Sequence, residues 1–81
     1  MYDELYDEAK VLICETLGIP EEALEAHTRL VDDLGLDAIL SAELAARIEE
    51  RFGIRIPAQM VLELATLDDV VAYLSDQTPR G

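Results

Sequence analysis

The sequence predicts an all-α fold: a small four-helix bundle with three main helices, a short third helix and a long first loop. Three observations support this prediction. Apolar residues recur at helical spacing in three segments of the chain. Gly18 and Gly53 directly follow two of these segments, at the position where glycine commonly ends a helix. No segment alternates apolar and polar residues between turn signals, so we expect no sheet.

The first helix is predicted over residues 3–17, with acidic residues in its first turn and Gly18 and Pro20 after its end. Its apolar stripe consists of Leu5, Ala9, Leu12, Ile13 and Leu17. The only cysteine, Cys14, lies off this stripe, so we expect it to be exposed and unreactive. A single cysteine excludes a disulfide framework and favours a reducing compartment.

The first loop follows, over residues 19–36, and has no helical periodicity. Residues 20–24 are expected to form a single helical turn. A loop of this length in a compact domain is usually functional or anchored. Four apolar side chains are predicted to anchor it to the core: Leu24, Leu30, Val31 and Leu34.

The second helix is predicted over residues 38–52. Asp37 occupies its N-cap position, where the carboxylate can accept a hydrogen bond from the first turn. Ala38 starts the helix at the positive end of the dipole, which suits a phosphate ester, but alanine has no hydroxyl to carry one. The core-facing residues are Leu44, Ala45, Ile48 and Phe52. Ile39 and Leu40 lie off this stripe, so they are either partly buried under the loop or available to a partner.

The last third of the chain is predicted to hold two further helices. Residues 54–57 form an extended link, because a residue before proline avoids the helical region. The third helix, residues 58–64, is too short to bury all its apolar side chains, so Met60 or Leu62 is expected to be exposed. Thr66 and Asp69 resemble a capping box for a fourth helix over residues 67–76. We expect residues 78–81 to be a tail and residues 1–81 to form a single domain.

The chain is strongly acidic: 18 acidic residues against 6 basic ones give its 81 residues a formal net charge of −12. Nucleic acid and anionic membranes are excluded as ligands, because both attract Lys and Arg. The charge favours basic protein partners through electrostatic steering, or serves solubility alone. No apolar run is long enough for a membrane span and no signal-peptide pattern is present, so we expect a cytoplasmic protein.

The sequence offers no catalytic centre. His27 is the only histidine, and no cysteine lies near it in the sequence, so neither a nucleophile–base pair nor a metal site is predicted. Adjacent acids such as Asp32 and Asp33 lack the desolvated pocket that catalytic carboxylates require. We therefore expect a protein that is not an enzyme.

The order of these segments resembles acyl carrier proteins, which are small, acidic four-helix bundles with a long first loop. Their signature is an acidic-Leu-Gly-x-Asp-Ser-Leu run at the start of the second helix. Asp33-Leu34-Gly35-Leu36-Asp37 matches it, and Ile39 matches the apolar residue after the serine. Glu43-Leu44, the link at residues 52–57 and the helix start at residues 66–70 are also similar. The resemblance covers nearly the whole chain.

In that family the serine carries 4′-phosphopantetheine through a phosphodiester bond, and the thiol of this arm holds acyl intermediates as thioesters. Ala38 occupies the serine position, so the resemblance implies a chain locked in the apo form, with Asp37 as the N-cap before the attachment position. Ser41 lacks a preceding Asp and is not a substitute. Two hypotheses explain Ala38: an engineered replacement of serine in a working carrier, which we favour, or a natural pseudo-carrier.

By the same resemblance, partners contact the second helix, the end of the first loop and the third helix. Charge for basic docking patches would come from Asp32, Asp33, Asp37 and Glu43, and apolar contacts from Leu36, Ile39, Leu40 and Met60. The implied partners are a phosphopantetheinyl transferase, an acyl- or aminoacyl-loading enzyme, and a synthase or modifying enzyme with a basic docking patch. Alone, the chain is expected to be monomeric.

The sequence thus indicates a discrete carrier of fatty-acid or polyketide type that presents thioester intermediates to partner enzymes, unloaded here because of Ala38. A peptidyl carrier of nonribosomal peptide synthesis is the first alternative. Such carriers commonly have glycine before the serine, where this chain has Asp37. The second alternative is a pseudo-carrier that acts only as an acidic interaction module.

Overall fold

The computed structural model describes residues 2–77 and confirms the predicted helical bundle. Its helices are α1 (Tyr2–Leu17), α2 (Ala38–Phe52), α3 (Ala58–Glu63) and α4 (Leu67–Gln77), and a 3₁₀ turn (Glu21–Ala23) lies in the first loop. The residues described contain no β-strand, only an isolated antiparallel bridge between Arg29 and Thr66. The predicted tail at residues 78–81 lies outside the described residues.

The ends of the helices are formed by the residues that the sequence indicated. Asp37 has an extended backbone and its carboxylate accepts a hydrogen bond from the Leu40 N–H at 2.8 Å, which caps α2. Gly53 ends α2 with φ 68°, a left-handed conformation that favours glycine. Thr66 and Asp69 form the predicted capping box, because each side chain accepts a hydrogen bond from the other residue's N–H at 3.3 Å.

One hydrophobic core lies between the helices: α1 packs against α2 and α4, and α2 packs against α3. Ile54 and Ile56 of the extended link also point into this core, so the link closes the bundle between α2 and α3. The fully buried apolar side chains are Ile13, Leu24, Leu30, Leu44, Ile48, Val61, Leu67, Val70, Val71 and Leu74. Met60 and Leu62 are both partly buried against the core, so the prediction that one of them is exposed is wrong.

The first loop is held to the junction between α3 and α4. The Leu30 N–H donates to the Ala65 carbonyl at 2.8 Å, and the Asp68 N–H donates to the Ala26 carbonyl at 3.1 Å. Leu24 and Leu30 are buried as predicted, whereas Val31 is 40% exposed and does not anchor the loop. These contacts fix the loop that leads into the start of α2.

The prediction that Cys14 is exposed is wrong, because its side chain is only 4% exposed. α1 contacts α2, α4 and the 3₁₀ turn, so more than one stripe of the helix is covered. Burial, together with the nearby carboxylate of Glu21, raises the pKa of the Cys14 thiol. The thiol therefore stays protonated, in agreement with the prediction that it is unreactive.

Within the described residues, no helix combines the length and the apolar character that crossing a membrane requires.

Candidate functional site

The start of α2 is the position to which the sequence points, and its geometry is well defined. Asp37 accepts the Leu40 N–H with its carboxylate and the Ser41 N–H with its main-chain carbonyl, both at 2.8 Å. Ala38 is exposed directly after this cap. The N–H groups of the first turn and the helix dipole together make this end of α2 favourable for an anionic group. The predicted roles of Asp37 as N-cap and Ala38 as first helical residue are confirmed.

The residues present at this position do not fit covalent attachment of 4′-phosphopantetheine. A phosphodiester needs a side-chain oxygen, and the Ala38 side chain is a methyl group. The nearest hydroxyl along the helix belongs to Ser41, which is completely buried and donates to the Ala38 carbonyl at 2.9 Å. That hydroxyl is engaged inside the bundle, so it cannot replace the missing oxygen.

The four apolar side chains predicted to contact partners differ in their exposure. Ile39 is 79% exposed, which excludes its burial under the loop. Leu40 and Met60 are partly buried against the core. Leu36 is only 3% exposed, so the prediction that it offers a surface contact is wrong. Its N–H donates to the Leu30 carbonyl at 2.9 Å, and this closure of the loop turns the Leu36 side chain inward.

The acids at the end of the first loop are exposed, but they have a basic neighbour. Asp33 accepts hydrogen bonds from the Arg29 N–H at 2.9 Å and from the Arg29 guanidinium at 3.2 and 3.4 Å. These hydrogen bonds, the backbone one first, lower the pKa of the Asp33 carboxyl, and the same pairing raises the pKa of Arg29. Asp32 lies 3.8 Å from the guanidinium. Sequence reasoning missed this arrangement, although the spacing of four residues between Arg29 and Asp33 could have indicated it.

Glu43 is also paired, with Arg47 one turn later at 3.2 Å. The four acids predicted to meet a basic partner therefore all interact within the chain. Asp32, Asp33 and Glu43 pair with arginines, and Asp37 caps α2. They remain exposed, but they do not form a bare anionic surface. Among residues 2–77, no three His, Cys, Asp or Glu side chains are grouped so as to hold a metal ion.

Comparison with known proteins agrees with this geometry. Residues 7–74 match the family described as "Phosphopantetheine attachment site". The chain is 32% identical over 73 residues to an acyl carrier protein of Campylobacter hominis, covering 90% of this chain and 92% of that protein. It is 34% identical over 70 residues to an acyl carrier protein of Wolinella succinogenes, covering 86% and 92%. With its helical bundle and capped second helix, this chain belongs to the acyl carrier protein family.

Proposed function

We propose that this chain is an acyl carrier protein of fatty-acid or polyketide biosynthesis whose attachment position, Ala38, cannot be loaded. Members of the family are carriers rather than enzymes, and their active form bears 4′-phosphopantetheine. The observation that carries the proposal is the start of α2, where the Asp37 cap directly precedes an exposed residue at the positive end of the helix dipole. Only the oxygen for the phosphodiester is missing.

We favour a replacement of serine by alanine in a working carrier as the origin of Ala38. The Asp37 cap and the exposed Ile39 suit a serine that is modified and then presented. In the alternative, a natural pseudo-carrier binds the same partners through its acidic surface and never carries cargo.

The partners in this proposal are a phosphopantetheinyl transferase, a loading enzyme, and a synthase or modifying enzyme with a basic docking patch. The exposed groups that support this choice are Asp32, Asp33, Asp37, Ile39 and Glu43, and Leu40 and Met60 are partly exposed. Electrostatic steering would speed such encounters and weaken with added salt. The chain would act as a cytoplasmic monomer, and its single cysteine suits a reducing compartment.

A peptidyl carrier differs from this proposal mainly in its cargo. Asp37 favours the acyl type, since peptidyl carriers commonly have glycine at this position. Because Asp37 caps α2 through its carboxylate, a glycine here would lose that hydrogen bond.

The test is to restore the oxygen. Ala38→Ser is incubated with a phosphopantetheinyl transferase and coenzyme A, and the intact mass is measured. We expect Ala38→Ser to gain one phosphopantetheine arm and the unchanged chain to gain none, because Ser41 is buried. Ala42→Ser is the matched control. Ala42 is exposed and lies one turn later on α2, so this variant adds a hydroxyl there without an Asp before it.

If Ala38→Ser folds but gains no arm, the carrier proposal is wrong. Tight binding of such an unloaded variant to one basic protein would then favour an interaction module. Modification of Ala42→Ser at the same rate would contradict the role given to the Asp37 cap. Circular dichroism of each variant establishes that the helices are intact.

A further inference from the structure

A second surface lies between α1 and α2, away from Ala38. Two hollows that share Leu12 and Arg51 lie between the two helices, and together they are called the α1–α2 groove. α1 provides one wall and the second half of α2 provides the other. Arg51 lies 13 residues after Ala38, a distance of about 20 Å along the helix axis. A protein bound in this groove would therefore leave the start of α2 accessible.

Val11 and Leu12 form an apolar strip on the α1 side of the groove. Val11 is 37% exposed, and it is one of three large apolar side chains that are exposed in the described part of the chain. Leu12, beside it, is partly buried and packs against the core. The exposed part of Val11 therefore gives the groove an apolar surface that a partner's side chain could cover.

The charges around this apolar strip are unbalanced. Two arginines line the α2 wall, and both are already paired: Arg51 with Glu8 across the groove at 2.6 Å, and Arg47 with Glu43 on its own helix at 3.2 Å. Asp7, Glu15 and Glu50 line the same groove, and none of the three forms an ion pair within residues 2–77. The unpaired charges that line the groove are therefore all negative, and the complementary surface is an apolar side chain flanked by Lys or Arg.

We propose that the α1–α2 groove is a docking site for a basic amphipathic helix of a partner protein. A helix lying along α1 and α2, above the Glu8–Arg51 pair, would place an apolar side chain over Val11 and bring its Lys or Arg residues close to Asp7 and Glu15. This function is additional to the proposed carrier role, because a partner held here leaves Ala38 and Ile39 free for a second protein.

The experiment uses the full chain and a synthetic helical peptide with leucine on one face and lysine on the other. Amide shifts of the ¹⁵N-labelled chain are followed by NMR as the peptide is added. We expect the largest shift changes at Val11, Leu12 and Glu15. In Val11→Ser, the dissociation constant of the peptide should rise about fivefold. Val31→Ser is the matched control, because Val31 is 40% exposed, close to the value for Val11, and lies beside Asp32 and Asp33 but outside the groove.

Charge is tested separately with Asp7→Asn/Glu15→Gln against Glu21→Gln/Glu22→Gln, which removes the same charge outside the groove. We expect Asp7→Asn/Glu15→Gln to weaken peptide binding more than Glu21→Gln/Glu22→Gln does. Equal weakening by both pairs, equal loss in Val31→Ser, or shift changes centred on the first loop and Ile39 would each overturn the proposal. Loading of Ala38→Ser is a separate measurement, so either proposal can fail without the other.

Discussion

At the scale of single residues, the chain separates the chemistry of attachment from the stability of the fold. The Ala38 side chain is exposed and the helix starts correctly without a hydroxyl there. The stabilising residue is its neighbour Asp37, whose carboxylate satisfies the Leu40 N–H at 2.8 Å. Losing the oxygen at residue 38 would therefore remove the attachment chemistry and leave the start of the helix intact.

Asp37→Ala is expected to lower the free energy of unfolding by about 1 kcal/mol, because the Leu40 N–H loses its acceptor. Urea denaturation followed by circular dichroism measures this difference. Asp37→Asn is the control, since asparagine is about as good an N-cap, and it should recover most of the stability. Equal destabilisation by both substitutions would mean that the negative charge, and not the hydrogen bond, stabilises this end of α2.

At the scale of elements, the bounds of the helices could be predicted from the sequence, but which loop side chains face the core could not. α2 spans the predicted residues, and α1, α3 and α4 each differ from the prediction by one residue at one end only. Local signals determine these ends: Gly18 and Gly53 in left-handed conformations, and the Thr66–Asp69 capping box.

The errors arose where tertiary contacts decide the outcome. Cys14 is buried because α1 is covered on several sides by other elements, which one apolar stripe cannot reveal. Leu36 and Val31 have exchanged their expected environments, since the loop closes between Leu30 and Leu36 and turns Val31 outward. At the candidate site, the sequence located Asp37 and Ala38, but it did not reveal that Arg29 binds Asp33.

The pairing of Arg29 with Asp33 makes the first loop sensitive to acid. Asp33 has a folded-state pKa below its ordinary value of about 3.9, so its charged form stabilises the folded state. This contribution is fully present above about pH 5 and is lost as the pH falls through the lower, folded pKa. Asp33→Asn should therefore be less stable than the unchanged chain at neutral pH, and the two should converge in acid.

Urea midpoints of both proteins between neutral and acidic pH measure this convergence. Asp32→Asn is the matched control, because Asp32 lies 3.8 Å from the guanidinium and makes no hydrogen bond to it. At neutral pH, the urea midpoint of Asp32→Asn should differ less from that of the unchanged chain than the midpoint of Asp33→Asn does. A constant difference between Asp33→Asn and the unchanged chain at every pH would contradict the role of the Asp33 charge.

At the scale of the whole molecule, a net charge of −12 must be confined within a compact 81-residue chain. The arginines of the described residues, Arg29, Arg47, Arg51 and Arg55, each pair with a carboxylate. Most of the 18 acidic residues remain without such a partner. Repulsion among them opposes compaction, and unfolding relieves it by separating the charges.

Added monovalent salt should therefore stabilise this protein, although salt weakens each of its ion pairs. The range of a charge falls from about 30 Å at 0.01 M salt to about 10 Å at 0.1 M, so the many distant repulsions are screened more than the few close pairs. Glu25→Gln/Glu63→Gln removes two exposed charges outside the ion pairs and should raise the urea midpoint at low salt, with the gain disappearing at high salt. Glu8→Gln is the contrast, because it breaks the pair with Arg51 and should lower the midpoint at low salt. A midpoint of the unchanged chain that falls as salt is added would mean that the ion pairs outweigh the repulsion, and the acidity would then be no obstacle to folding.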